Sequence, residues 1–122
     1  MAFQEFKPTG GRFTPSISIS RGGFGISIGF AKKYPEVKDG SGARLYFDAE
    51  RKAVGFVFTP THQEGTFKLK PLNKGGFYMG ARSFLVQHDV NRDKYEARYH
   101  PKEETTPDGR MFVIELKEKK TG

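Results

Sequence analysis

No cysteine occurs anywhere in the 122 residues, which excludes a disulfide framework and a thiolate zinc site and fits a reducing compartment. No apolar run approaches the ~20 residues needed to span a bilayer. Residues 1–12 lack the continuous apolar core of a signal peptide. The expected location is therefore the cytoplasm, with no membrane partner. Histidines number three, His62, His88 and His100, and they have neither the short spacings of a metal site nor an obvious nucleophile partner. The phosphate-loop pattern Gly-x-x-x-x-Gly-Lys-Ser/Thr is absent. Asp48 and Glu50 stand beside Arg51 and Lys52 in a polar tip, so they read as a solvated turn rather than paired catalytic carboxylates. No catalytic residue, metal or cofactor is expected, and the chain reads as non-enzymatic.

Hydrophobic residues are also scarce, at 35%, yet 12 Phe and 5 Tyr are present. Aromatics bury large areas each, so a core is available to one domain of this length. The charge is +7, and it is unevenly spread. Residues 1–35 hold five Lys or Arg against one acid and residues 61–82 four against one, while residues 36–60 and 83–122 are balanced.

Those two basic stretches surround a motif that occurs twice. Arg21-Gly22-Gly23-Phe24 returns 53 residues later as Lys74-Gly75-Gly76-Phe77. Before each copy every second residue is apolar, Ile17 and Ile19 in the first, Phe67 and Leu69 in the second, which is the period of a half-buried strand. After each copy a short apolar run leads into a brief segment with helical spacing, residues 30–34 and 81–88. Each half then closes with strand, turn and strand, residues 44–47 and 54–58 in the first half and 95–99 and 111–116 in the second. The expected fold is mainly β with short helices (α+β), a small intertwined β-barrel from two similar β-β-α-β-β halves. The halves are residues 14–59 and 65–116 of one domain covering 14–122, preceded by an extended arm over 1–13 that Phe3, Phe6 and Phe13 pin to the body. Residues 101–109 read as a loop between the last strands. The Gly-Gly pairs suit the positive φ of tight hairpin turns, and His88 suits a helix end.

Several Lys or Arg on one surface can hold a phosphate backbone. The candidates are Arg21, Lys32, Lys33, Lys68, Lys70, Lys74 and Arg82, with Lys68 and Lys70 on the strand face opposite the core. Phe24 and Phe77 either stack on an unpaired base or fold back into the core. The expected arrangement places both cationic glycine turns on one shared surface.

Residues 23–33, Gly-Phe-Gly-Ile-Ser-Ile-Gly-Phe-Ala-Lys-Lys, followed by the Gly/Asp turn at 39–42 and the hairpin 44–58, resemble the swapped-hairpin domain of AbrB-type transcription regulators. Lys32 and Lys33 stand where that family has two arginines, and Phe24 where it has one. The resemblance covers about residues 14–59. With a divergent second copy it implies the tandem form, in which two units of one polypeptide build an intertwined barrel that binds DNA through a basic face, as a monomer or homodimer. The other readings of the same charge are a module docking on an acidic protein partner and a single-stranded nucleic-acid binder.

Overall fold

The structure, a computed structural model, describes Phe3 and residues 15–73, 75–107 and 109–119. Alternating side chains set the first strands. In β1 (Ile17–Ile19) and β2 (Gly23–Ile26) the side chains of Ile17, Ile19, Phe24 and Ile26 are buried, while Ser18 and Gly25 point the other way. The strands pair antiparallel with Ile19 opposite Phe24. Ser27 then caps α1 (Ile28–Lys33): its Oγ accepts the Phe30 N–H at 3.1 Å and the Ser16 N–H at 2.9 Å. One hydroxyl thus fixes the helix start and the approach to β1, a cap of the kind that contributes about 1 kcal/mol. Tyr34, just before Pro35, ends the helix in an extended conformation.

β3 (Gly42–Asp48) and β4 (Ala53–Thr59) form a hairpin. Asp48 shapes its tip, where Oδ1 accepts the N–H groups of Glu50 and Arg51 at 3.0 and 3.1 Å. The second half supplies β5 (Phe67–Pro71), β6 (Phe77–Gly80), α2 (Arg82–Gln87), β7 (Arg98–Tyr99), β8 (Lys102–Thr106) and β9 (Gly109–Glu115).

All nine strands form one antiparallel sheet in the order β7-β1-β2-β6-β5-β3-β4-β9-β8. The halves are interleaved, since β1 pairs with β7, β2 with β6, β3 with β5 and β4 with β9. β7 and β8 are the two outermost strands, yet only His100 and Pro101 separate them in the chain. So short a link brings the sheet edges together, and the sheet curls into a half-barrel. The junctions also repeat in register. Ala43 faces Phe67 and the Leu69 N–H donates to the Ser41 carbonyl at 2.9 Å; likewise Tyr99 faces Ile17 and the Ile19 N–H donates to the Ala97 carbonyl at 2.6 Å. β7 therefore does for β1 what the start of β3 does for β5, and the β7–β8 pair is a version of β3 interrupted at Pro101.

The concave side holds the core. Phe24 meets Phe56 edge-on at 5.0 Å and Phe84 of α2 at 6.2 Å. Phe30 of α1 packs at 4.8 Å from both Tyr34 and Phe112, and also against Phe58. Each helix therefore carries aromatic side chains from its own half onto strands of the other. Edge-on aromatic pairs contribute about 0.5–1.5 kcal/mol beyond their burial.

Several sequence expectations change. Residues 102–106 of the expected 101–109 loop form β8, an edge strand held by β9 alone, with charged residues at Lys102, Glu103 and Glu104 that gave no apolar alternation to read. The expected strand over 95–99 shrinks to Arg98 and Tyr99, with Tyr95 making only an isolated bridge to Glu118. Positive φ is found at Gly75 (93°) and Gly76 (78°) but not at Gly22 or Gly23. His88 ends α2, but its ring stacks on Phe47 at 4.5 Å. Phe3 of the arm is 90% exposed and pins nothing; Phe6 and Phe13 lie outside the described residues.

Two predictions arise from this packing. A Cβ on Gly23 would stand 1.9 Å from the Met79 carbonyl oxygen, whereas one on Gly25 would meet only the rotatable Ser18 hydroxyl at 2.6 Å. In denaturant titrations, Gly23→Ala loses about 3 kcal/mol or more, because backbone must shift, and Gly25→Ala about 1 kcal/mol or less. Tyr34 offers a pH test. A hydrogen bond with Glu103, with burial second, pushes its phenol up to about 12. The folded value exceeds the unfolded value of about 10, so this stability is complete below pH ~10 and is lost as pH rises toward ~12. Tyr34→Phe costs about 1 kcal/mol near neutrality and flattens the alkaline fall. Tyr99, raised chiefly by burial, keeps part of that fall in the variant.

Candidate nucleic-acid interface

The residues between the buried ones form the convex face. Opposed residues of an antiparallel pair share a face, so the registers line up Arg98, Ser18, Gly25, Tyr78 and Lys70 as one row across β7, β1, β2, β6 and β5. One step along the β2–β6 ladder on the same face, Gly23 faces Gly80, and on β5 Lys68 is opposed by Gly42 of β3. The row one residue in from these, Ile19, Phe24, Met79 and Leu69, is at most 2% exposed. Five strands make the face about 19 Å wide.

Its centre is low and its border is charged. Ser18 Oγ and Ser20 Oγ lie against the Gly25 and Gly23 carbonyls at 3.5 and 3.1 Å. Tyr78, half-buried, lies across β2: its hydroxyl is 3.1 Å from where a Gly22 Cβ would be, and its Cε1 4.0 Å from that of Gly80. Glycine at position 22 leaves the room that the hydroxyl occupies, while a Cβ at position 80 would make only ordinary contact with the ring. Lys68, Lys70 and Arg98 are exposed around it. At the Gly23–Gly80 end, Arg21 and Arg82 line a notch of about 330 Å³ with Leu85, Val90 and Asp89. Asp89, the acid there, is bound by Lys94 Nζ at 3.3 Å, and that bond is the largest cause of the raised Lys94 pKa.

The strands of this face carry no acid; carboxylates stand at its border, Asp89 in the notch with Arg21 and Arg82, and Glu96 and Glu115 in a cleft with Arg98. β1, β2, β5, β6, β7, α1 and α2 carry no Asp or Glu. Those within strands are Asp48 on β3, Glu103 and Glu104 on β8, and Glu115 on β9. Ion pairs follow the same division: among the described residues they engage Arg51, Lys52, Lys94, Lys102 and Arg110, and none involves Arg21, Lys68, Lys70, Arg82 or Arg98. The strongest joins Arg51 to Glu104 through two hydrogen bonds of 2.7 and 3.3 Å, which holds the Glu104 carboxyl below its ordinary range.

The predicted site residues divide accordingly. Lys68 and Lys70 share the convex face as alternation required, and Arg21 and Arg82 meet at its end. Lys32 and Lys33 stand on the last turn of α1. Lys33 Nζ lies 5.5 Å over the Tyr34 ring, which packs on Phe112 and bonds Glu103, so Lys33 belongs to the β8–β9 side. Lys74 is outside the described residues. Phe24 is fully buried and cannot stack on a base; Phe77 is half-buried and packs against the core.

The shared surface for the two glycine turns is also overturned. The first turn meets the Gly23–Gly80 end of the β2–β6 ladder and the second meets the Ile26–Phe77 end. Nor are the motifs equivalent by register, since Ile19 faces Phe24 and its counterpart Leu69 faces Met79, two residues past Phe77. The second hairpin has the longer loop, and this displaces the repeated letters from the repeated positions. Sequence reasoning missed Tyr78 and Arg98. Their only local signal was that each sits between inward-facing neighbours; what matters is which strands lie beside them.

Among the described residues no three His, Asp or Glu side chains gather as a metal-binding group, and no helix is long and apolar enough to cross a membrane. No family model, curated protein or solved structure matches the chain.

Proposed function

We propose that this is a non-enzymatic nucleic-acid-binding protein that takes a phosphate backbone across the convex face, with Arg21, Lys68, Lys70, Arg82 and Arg98 as its contacts. The observation that carries this reading is that the strands of this face carry no acid. Bulk positive charge alone could be spread anywhere, whereas here five cations that make no ion pair among the described residues, Arg21, Lys68, Lys70, Arg82 and Arg98, border one sheet face whose strands hold no carboxylate. Such a face concentrates positive potential and attracts a polyanion. Its glycines and serines keep side chains low, so a backbone can approach closely. A cytoplasmic location, and the role of a small regulator of the tandem AbrB-like kind, belong to this proposal. The contacts differ from those the resemblance implies, because the face between the glycine turns replaces the turns themselves.

Each neutralised phosphate contributes about −0.9 to the slope of log affinity against log salt on duplex DNA and about −0.7 on a single strand. The triple variant Lys68→Ala, Lys70→Ala, Arg98→Ala is expected to flatten the slope by about 2–3 and weaken binding at low salt by ~10-fold or more. A control triple, Lys38→Ala, Lys52→Ala, Arg110→Ala, removes the same charge away from the face, where Lys52 and Arg110 pair with Glu118 and Glu36, and is expected to change the slope by less than about 1. Anisotropy titrations across a salt series measure both. Equal losses in the two triples would reduce the effect to net charge, and no binding by the parent protein at low salt would transfer the face to an acidic protein partner.

A further inference from the structure

We infer that Tyr78 is a stacking platform for an unpaired base, so that the convex face takes single-stranded nucleic acid in preference to duplex; this rests on the nucleic-acid reading above. Within the row Arg98, Ser18, Gly25, Tyr78 and Lys70 the other members near the ring are small, and the residue directly opposite it on β2 is Gly25. Tyr78 is half-buried, and its hydroxyl lies 3.1 Å from where a Gly22 Cβ would stand. An aromatic ring laid along a sheet, with glycine and serine on its β2 side and only the flexible Lys70 on its β5 side, can present a π-face to a base. Stacking on such a face is indifferent to base identity and needs a base that has left its helix.

The charges are placed to match. Lys70 is the cross-strand neighbour of Tyr78, and Arg98 lies three strands away on the other side, about 14 Å along the sheet. A strand running across the row would set one base on the ring while its phosphates reach cations on both flanks. A duplex keeps its bases inside grooves that a protruding element must enter. Here both helices send aromatic side chains into the core, Phe30 from α1 and Phe84 from α2, and the convex centre consists of glycine, serine and one ring. The competing account is that Tyr78 only covers the glycines beneath it, and a leucine could do that as well.

The test compares the parent protein, Tyr78→Phe and Tyr78→Leu against a labelled 15-nucleotide oligo(dT) and a 15-base-pair duplex at the same low salt. The parent is expected to bind oligo(dT) the more tightly. Tyr78→Leu should weaken oligo(dT) binding about 5- to 100-fold with little change on duplex, and Tyr78→Phe should stay within about 2-fold of the parent. In the parent, the Tyr78 ring protons should move upfield on adding oligo(dT), a readout that does not depend on either variant folding. Binding to duplex as tight as to oligo(dT), or unmoved Tyr78 ring protons at saturation, overturns the inference while leaving the phosphate-binding proposal standing. No binding to either nucleic acid overturns both.

Discussion

The β2–β6 ladder is the constraint on which the remaining structure depends. It is four residues long and joins the two halves at their centres, with Phe24 opposite Met79 on the concave side and Gly25 opposite Tyr78 on the convex side. Gly23 makes it possible, because any side chain there would strike the Met79 carbonyl. Once these strands are in register, β1 and β5 follow as their hairpin partners, and β7 and β3 are placed against them. The helices leave from the C-terminal ends of the two ladder strands, so antiparallel pairing sends them to opposite ends of the core. A single register thus governs core aromatics, helix positions and the makeup of the convex row.

Electrostatics divides the same molecule differently. The β3–β4 and β8–β9 hairpins hold their own counter-ions, in pairs such as Arg51–Glu104 and Lys102–Glu115 that stay substantially exposed. Exposed pairs add little to stability. Their main effect is to cancel charge where they stand, so among the described residues Lys68, Lys70 and Arg98 are left without a paired acid on the sheet formed by β7, β1, β2, β6 and β5. That unbalanced face is a feature that stability does not require, since like charges on one surface repel and the repulsion grows as salt is removed.

Much of the fold was legible along the chain. Ile17, Ile19, Phe67 and Leu69 alternated with polar residues, and alternation reports which face a strand buries irrespective of its neighbours. The brief helices could be read from Pro35 in one half and from the spacing of Ala81, Phe84, Leu85 and His88 in the other. What the chain did not show was which strands would lie side by side. β8, Lys-Glu-Glu-Thr-Thr, looks like a loop because an edge strand with few inward positions carries no period. Tyr78 and Arg98 look unremarkable until β6 is laid beside β2 and β7 beside β1. The doubled glycine motif was a real repetition of letters, but the first copy uses Gly23 for close backbone approach at ordinary φ, whereas the second combines close approach at Gly76 with positive φ at both glycines, so identical residues answer different physical demands.

Interleaving has a consequence during synthesis. When the first sixty residues leave the ribosome they contain two hairpins and a helix, but the second partners of β1, β2, β3 and β4, which are β7, β6, β5 and β9, have not yet been made. Phe24, Phe56 and Phe58 are then solvated on hairpins that each have an open edge, and closing those edges must wait for contacts far apart in the chain, which slows folding. The newborn N-terminal half is thus an adhesive intermediate. Its charge-bearing, glycine-rich edges, together with a short delay before β6 arrives, decide whether the chain closes on itself or on a neighbour.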